Sequence, residues 1–91
     1  MGRDPKQVIG DISEFKAVIK FLKEGYMVFK NMSSTGPIDL VLVNFKTGKV
    51  RFIDVKTISR RKVGTKINRT LTKEQLMLKV EFEYIDKDFN D

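Results

Sequence analysis

The sequence predicts an α/β domain in the order helix, three strands, helix, strand. Three observations predict it. Apolar residues recur at helical spacing over 11–24. Three runs between Tyr26 and Thr57 have strand length and are rich in Val, Ile, Leu, Phe or Tyr. A helix-start signature at Thr72 then precedes an alternating apolar and acidic run, Val80–Ile85.

In the first helix, Ile12, Phe15, Ile19 and Leu22 form the expected core stripe, widened by Val18 and Phe21. Asp11 and Glu14 fit a capping-box-like start, and Gly25 fits the stop. Tyr26–Lys30 is a short β-prone run, followed by a polar turn region at Asn31–Gly36. Pro37–Phe45 and Lys49–Thr57 read as a strand hairpin joined at Lys46-Thr47-Gly48. A basic loop extends from about Ile58 to Arg69, and Thr72-Lys73-Glu74-Gln75 opens a helix running to about Lys79.

At 91 residues the chain makes one small domain, 1–91, without internal repeat or linker. It has no Cys and no His, so neither disulfides nor a zinc cluster would staple it. A homo-oligomer, most simply a dimer, is therefore expected. No apolar run is long enough to span a membrane, and the N-terminal residues lead into no signal-peptide core. The expected setting is the cytoplasm of a bacterial, archaeal or phage-infected cell.

The net charge of +6 is local. Seven basic residues lie between Lys56 and Lys73, a stretch without Asp or Glu, whereas the rest of the chain is close to neutral. Such a patch is the footprint of a polyanion partner. Arg60, Arg61, Lys62, Lys66, Arg69 and Lys73 would contact phosphates. Ser33, Ser34 and Thr35 would also reach a nucleic-acid backbone, although a plain polar turn explains them as well.

The hairpin carries the chemistry. A two-residue loop at Thr47-Gly48 pairs Lys46 with Lys49, and a four-residue loop closes on Phe45 and Val50. Both put Asp39 opposite Lys56, and side-chain alternation puts Asp54 on the same face. Val41, Val43, Phe45, Val50 and Phe52 share that face, whereas Ile38, Leu40, Leu42, Ile53 and Val55 make the other. Both faces are apolar, so elements are expected on both sides of the sheet. Two neighbouring carboxylates can share one hard cation, Mg²⁺ or Mn²⁺, with the Val55 carbonyl as a further ligand. The ion would polarise a phosphoryl oxygen, and Lys56 would orient water or stabilise developing charge. A salt-bridged strand pair is the plainer alternative.

Gly36-Pro37-Ile38-Asp39-Leu40, followed by Ile53-Asp54-Val55-Lys56-Thr57, resembles the PD-(D/E)XK nuclease superfamily. That superfamily includes restriction enzymes, Holliday-junction resolvases, VRR-type nucleases and some homing endonucleases. The resemblance covers nearly the whole chain. It implies a restriction-endonuclease-like core of order α-β-β-β-α-β, with a mixed sheet flanked by helices. It departs at Ile38, which separates Pro37 from Asp39. It further implies that Glu14 on the first helix lies near the metal and that Gln75 on the second belongs to the site. Helix capping accounts for each of these two residues equally well.

The leading expectation is thus a divalent-metal-dependent DNA endonuclease. It would be specific either for branched DNA such as a Holliday junction or for sequence, as in homing enzymes. A non-catalytic DNA-binding subunit that keeps the fold is the alternative. A generic RNA-binding domain would need surface aromatics for stacking, whereas most Phe residues here hold core-like positions.

Overall fold

The computed structural model describes residues 4–33, 35–58 and 70–86. Its elements are α1 (Pro5–Lys23), β1 (Tyr26–Lys30), β2 (Leu40–Asn44), β3 (Val50–Ile58), α2 (Lys73–Leu78) and β4 (Val80–Asp86). The expected order α-β-β-β-α-β is present, in one mixed four-stranded sheet of order β1-β2-β3-β4. The first three strands pair antiparallel, and β4 joins β3 parallel through a crossover containing α2. Among the described residues, no helix is long and apolar enough to cross a membrane.

Helix α1 begins six residues earlier than its apolar periodicity suggests. Asp4 caps it by accepting the Lys6 N–H at 2.9 Å, and Pro5 occupies the first turn. Proline there has its φ preset and lacks an N–H that would have gone unpaired. Asp11 consequently lies inside the helix, and the expected capping box with Glu14 does not form.

The buried side of α1 differs from expectation in part: Phe21 and Val18 join the core as expected, but the four residues expected at the centre of the stripe do not. Ser13, Ala17 and Phe21 are buried on the sheet side, and Ala17 and Phe21 pack with Leu40, Leu42 and Ile53. Ile12, Phe15, Ile19 and Leu22 point away and are 48%, 58%, 54% and 54% exposed. At 3.6 residues per turn the two rows lie on opposite sides of the helix. The small side chains of Ser13 and Ala17 let α1 approach the strands closely. The buried Ser13 hydroxyl is satisfied by Thr57 Oγ1 at 2.7 Å.

Arg51 fastens this layer. It makes two hydrogen bonds to Glu81, at 2.9 and 2.7 Å, and a third to the Tyr26 hydroxyl at 2.9 Å. Its guanidinium lies over the Phe21 ring, 5.7 Å from the centroid.

The hairpin register is offset by two residues from the expected one. Val43 pairs with Val50 and Leu40 with Ile53. The turn explains the offset. Asn44 Oδ1 accepts from the N–H groups of Lys46 and Thr47, its own amide bonds Lys49, and Gly48 takes φ 75°. The loop is therefore Phe45–Gly48, closed by Asn44 and Lys49. An offset of two preserves the faces, because side chains alternate with period two. Asp39, Asp54 and Lys56 line one cleft, but Asp39 lies one residue outside the ladder and donates its N–H to the Ile53 carbonyl instead of pairing with Lys56.

Candidate active site at the open end of the hairpin

The β2–β3 ladder stops at Leu40. Asn31 holds the approach to it: its Nδ2 donates to the carbonyls of Thr35 and Ile38, each at 2.8 Å. With the Ile38 carbonyl bound by Asn31, the Val55 amide that would continue the ladder instead meets the Asp39 side chain. Val55 N–H donates to Asp39 Oδ2 at 2.7 Å, and Asp39 N–H donates to the Ile53 carbonyl at 2.8 Å. Val55 itself lines the same cleft as Asp39 and Asp54.

One residue outside the Leu40–Ile53 pair, Asp39 lines the cleft beside Asp54. Burial pushes the Asp39 carboxyl up to about 6 from its ordinary 3.8. The Val55 amide works against this shift, whereas Asp54, through its hydrogen bond and its charge, and the charge of Glu14 add to it.

Asp54 is 7% exposed and well partnered. Lys56 Nζ lies 3.2 Å from its Oδ2, and Gln75 Nε2 donates to the same atom at 2.6 Å. Neither contact uses Oδ1. Lys56 Nζ also stands 5.7 Å above the Phe82 ring centre, so the ammonium is held between carboxylate and ring.

Gln75 plays two parts with different atoms. Its backbone N–H donates to Thr72 Oγ1, and its Oε1 accepts from Thr72 N–H, which completes a capping box. Its Nε2 remains for Asp54 and for the Pro37 carbonyl at 3.2 Å. Capping and contact with Asp54 are not alternatives here. The box fixes the rotamer that aims the amide.

These groups line a cleft of about 560 Å³ with Glu14 on its α1 wall. Lys30 Nζ lies 3.5 Å from Glu14 Oε1. Gly10, Pro37, Thr72 and Glu74 line the cleft too, and sequence reasoning did not single them out for it. Two of them carried a signal. Gly10 sits one helical turn before Glu14, and Glu74 adjoins Gln75 in the first turn of α2. Lys73, between two cleft residues, is exposed at the rim. Ser34, Arg60, Arg61, Lys62, Lys66 and Arg69 lie outside the described residues.

Among the described residues, no three acidic, His or Cys side chains converge as a ready metal cage. Asp39, Asp54 and the Val55 carbonyl form a smaller set of hard oxygen donors, which suits a cation that keeps several waters. A raised carboxyl pKa and a carboxylate held by Lys and Gln in a cleft mark this as the chemically charged part of the fold. No protein-family model, curated protein or solved structure matches the chain.

Proposed function

We propose that this chain is a divalent-metal-dependent DNA endonuclease that hydrolyses phosphodiester bonds. The observation that carries the reading is the convergence of Asp39 and Asp54 in one cleft at the end of the hairpin, with the Lys56 ammonium 3.2 Å from Asp54. Asp39, Asp54 and the Val55 carbonyl would hold Mg²⁺, with Mn²⁺ able to substitute, and Glu14 adds negative charge from the α1 wall. The ion would supply Lewis acidity toward a phosphoryl oxygen and a more acidic bound water. Lys56 would stabilise the charge that develops on the phosphate, and Gln75 fixes the carboxylate that Lys56 shares. This arrangement supports the restriction-endonuclease-like reading of the core.

DNA is the partner, held through phosphates by Lys73 at the cleft rim and by Arg60, Arg61, Lys62, Lys66, Arg69 and Ser34. The domain has little surface to spare for a separate reader of sequence. Branched DNA such as a four-way junction is thus the preferred substrate, with homing-type cutting as the variant reading. The working form is a homodimer in the cytoplasm, where paired cuts suit two-fold symmetry.

The test is cleavage of linear, nicked, flapped and four-way-junction DNA with Mg²⁺, Mn²⁺ or EDTA. Asp54→Ala should abolish cutting and leave DNA binding largely intact. Cutting by that variant at the wild-type rate would overturn the assignment. The alternative reading is a non-catalytic DNA-binding subunit that keeps the fold. That reading predicts binding to DNA without cleavage under any metal.

A further inference from the structure

Helix α1 carries two apolar rows; one is buried in the core, and the other meets the rest of the fold through Phe15, whose ring lies 5.9 Å from Lys30 Nζ. Val8, Ile12, Phe15, Ile19 and Leu22 form the outer row, and all five are substantially exposed. Their spacing alternates four, three, four and three residues. That is the a/d repeat of a two-stranded coiled coil, with Ile12 and Ile19 at a and Val8, Phe15 and Leu22 at d. A helix that merely covers a core has no need of such a repeat on its solvent side.

We infer that this outer row is a dimer seam, and that its occupant is the same row of a second copy of this chain. The match is self-complementary, because a two-fold axis sets each a or d residue against its own counterpart. Ile19 at a with Leu22 at d is the combination that favours two strands over three or four. The five side chains present on the order of 500 Å² of apolar surface, well over half of the roughly 800 Å² per partner in a standard interface. The aliphatic stems of Lys16 and Lys23 border the row and add to it.

Charge selects the direction. Asp11 borders the seam on one side, and Lys16 and Lys23 border it on the other. Parallel pairing sets Asp11 across from Lys16 of the second copy, five residues on. Antiparallel pairing sets lysines against lysines. Since the seam lies opposite the sheet-facing row, the two sheets hang on opposite sides of the helix pair without collision. Helix α1 is already folded in the domain, so association bears no cost of helix nucleation. Both clefts then lie at the same level along the pair, because Gly10 and Glu14 of α1 line each of them.

The seam is independent of the nuclease reading, and its test reads mass instead of cleavage. Sedimentation equilibrium of the full chain should give a dimer. Ile12→Glu with Ile19→Glu should give a monomer with an unchanged far-ultraviolet circular dichroism spectrum. Phe29→Lys, on the exposed sheet face, should remain dimeric. The chain has no cysteine, so single substitutions give a second readout that tolerates a weak fold. Phe15→Cys and Leu22→Cys should each cross-link to themselves on oxidation, and Phe29→Cys should not. A monomeric wild type at high micromolar concentration, or dimers broken by Phe29→Lys and not by the α1 pair, would overturn the seam. Cross-linking only between unlike positions, such as Ile12→Cys with Leu22→Cys, would overturn the parallel arrangement.

Discussion

Asp39 and Asp54 lie in one cleft at the open end of the β2–β3 ladder, and the Asp54 carboxylate helps to raise the Asp39 carboxyl. Two carboxylates so placed repel when both are ionised. The fold tolerates them because the Val55 amide binds Asp39, while Lys56 and Gln75 bind Asp54. The pair is thus satisfied from outside and strained between its members, an arrangement that a shared cation would relieve.

A pH window follows from Asp39. Its folded value of about 6 lies above its ordinary 3.8, so between these values the folded chain holds more proton than the unfolded chain. Its contribution to stability is therefore full below about pH 4 and is lost as the pH rises through about 6. Glu81, held below its usual range by Arg51, acts in the opposite sense, so the Asp39 effect must be isolated by difference. Denaturant titrations in EDTA should show Asp39→Asn equal to wild type near pH 4 and more stable near pH 7. The expected gain is about 1 kcal/mol after solvent screening. Equal stability at both pH values would contradict the raised carboxyl.

Metal binding should displace that proton. Titration calorimetry with Mn²⁺ near pH 6, in buffers of different ionisation enthalpy, should show a fraction of a proton released per ion. Near pH 8, where Asp39 is already ionised, release should fall close to zero. A pH-independent enthalpy would place the ion elsewhere.

Gln75 should matter in proportion to its burial. Gln75→Ala removes the bond to Asp54 and half of the capping box, and should cost about 1–3 kcal/mol in thermal unfolding. Gln75→Glu keeps an acceptor for the Thr72 N–H but sets a carboxylate against Asp54. If the Asp54 interaction dominates, the Glu variant is the less stable of the two near pH 7. The reverse order would assign the residue's role to capping.

The core seat on α1 should be unequal to its outer row. Phe21 is 1% exposed and packs edge-on to Tyr26, 6.1 Å between ring centres. Phe21→Ala should cost about 3–5 kcal/mol. Urea unfolding of the variant measures it, and a destabilisation below about 1 kcal/mol would mean that the outer row, not this one, faces the sheet.

The basic segment is tested through salt. Arg60, Arg61 and Lys62 replaced together by Ala should flatten the dependence of log K on log salt by up to about 3, roughly 0.9 for each phosphate no longer neutralised. An unchanged slope would remove that segment from the DNA interface.

Much of the site was legible in the sequence, because it rests on local rules. Side chains alternate along any strand, so Asp54 and Lys56 share a face whatever the register. Asp39 joins them under any even offset. The Thr72–Gln75 capping box is likewise a property of four consecutive residues. Three features were decided only by the tertiary structure. The register of the hairpin depends on where the turn closes, and the Asn44 side chain moved that point by one residue on each strand. Which apolar row of α1 is buried depends on how near the helix can come to the sheet, and Ser13 and Ala17 allow the nearer approach. Whether Gln75 caps or reaches Asp54 was a choice only on paper, because its backbone N–H and Oε1 serve the first and its Nε2 the second. A sequence holds the period of an element, whereas register and facing are settled by hydrogen bonds and packing with residues far along the chain.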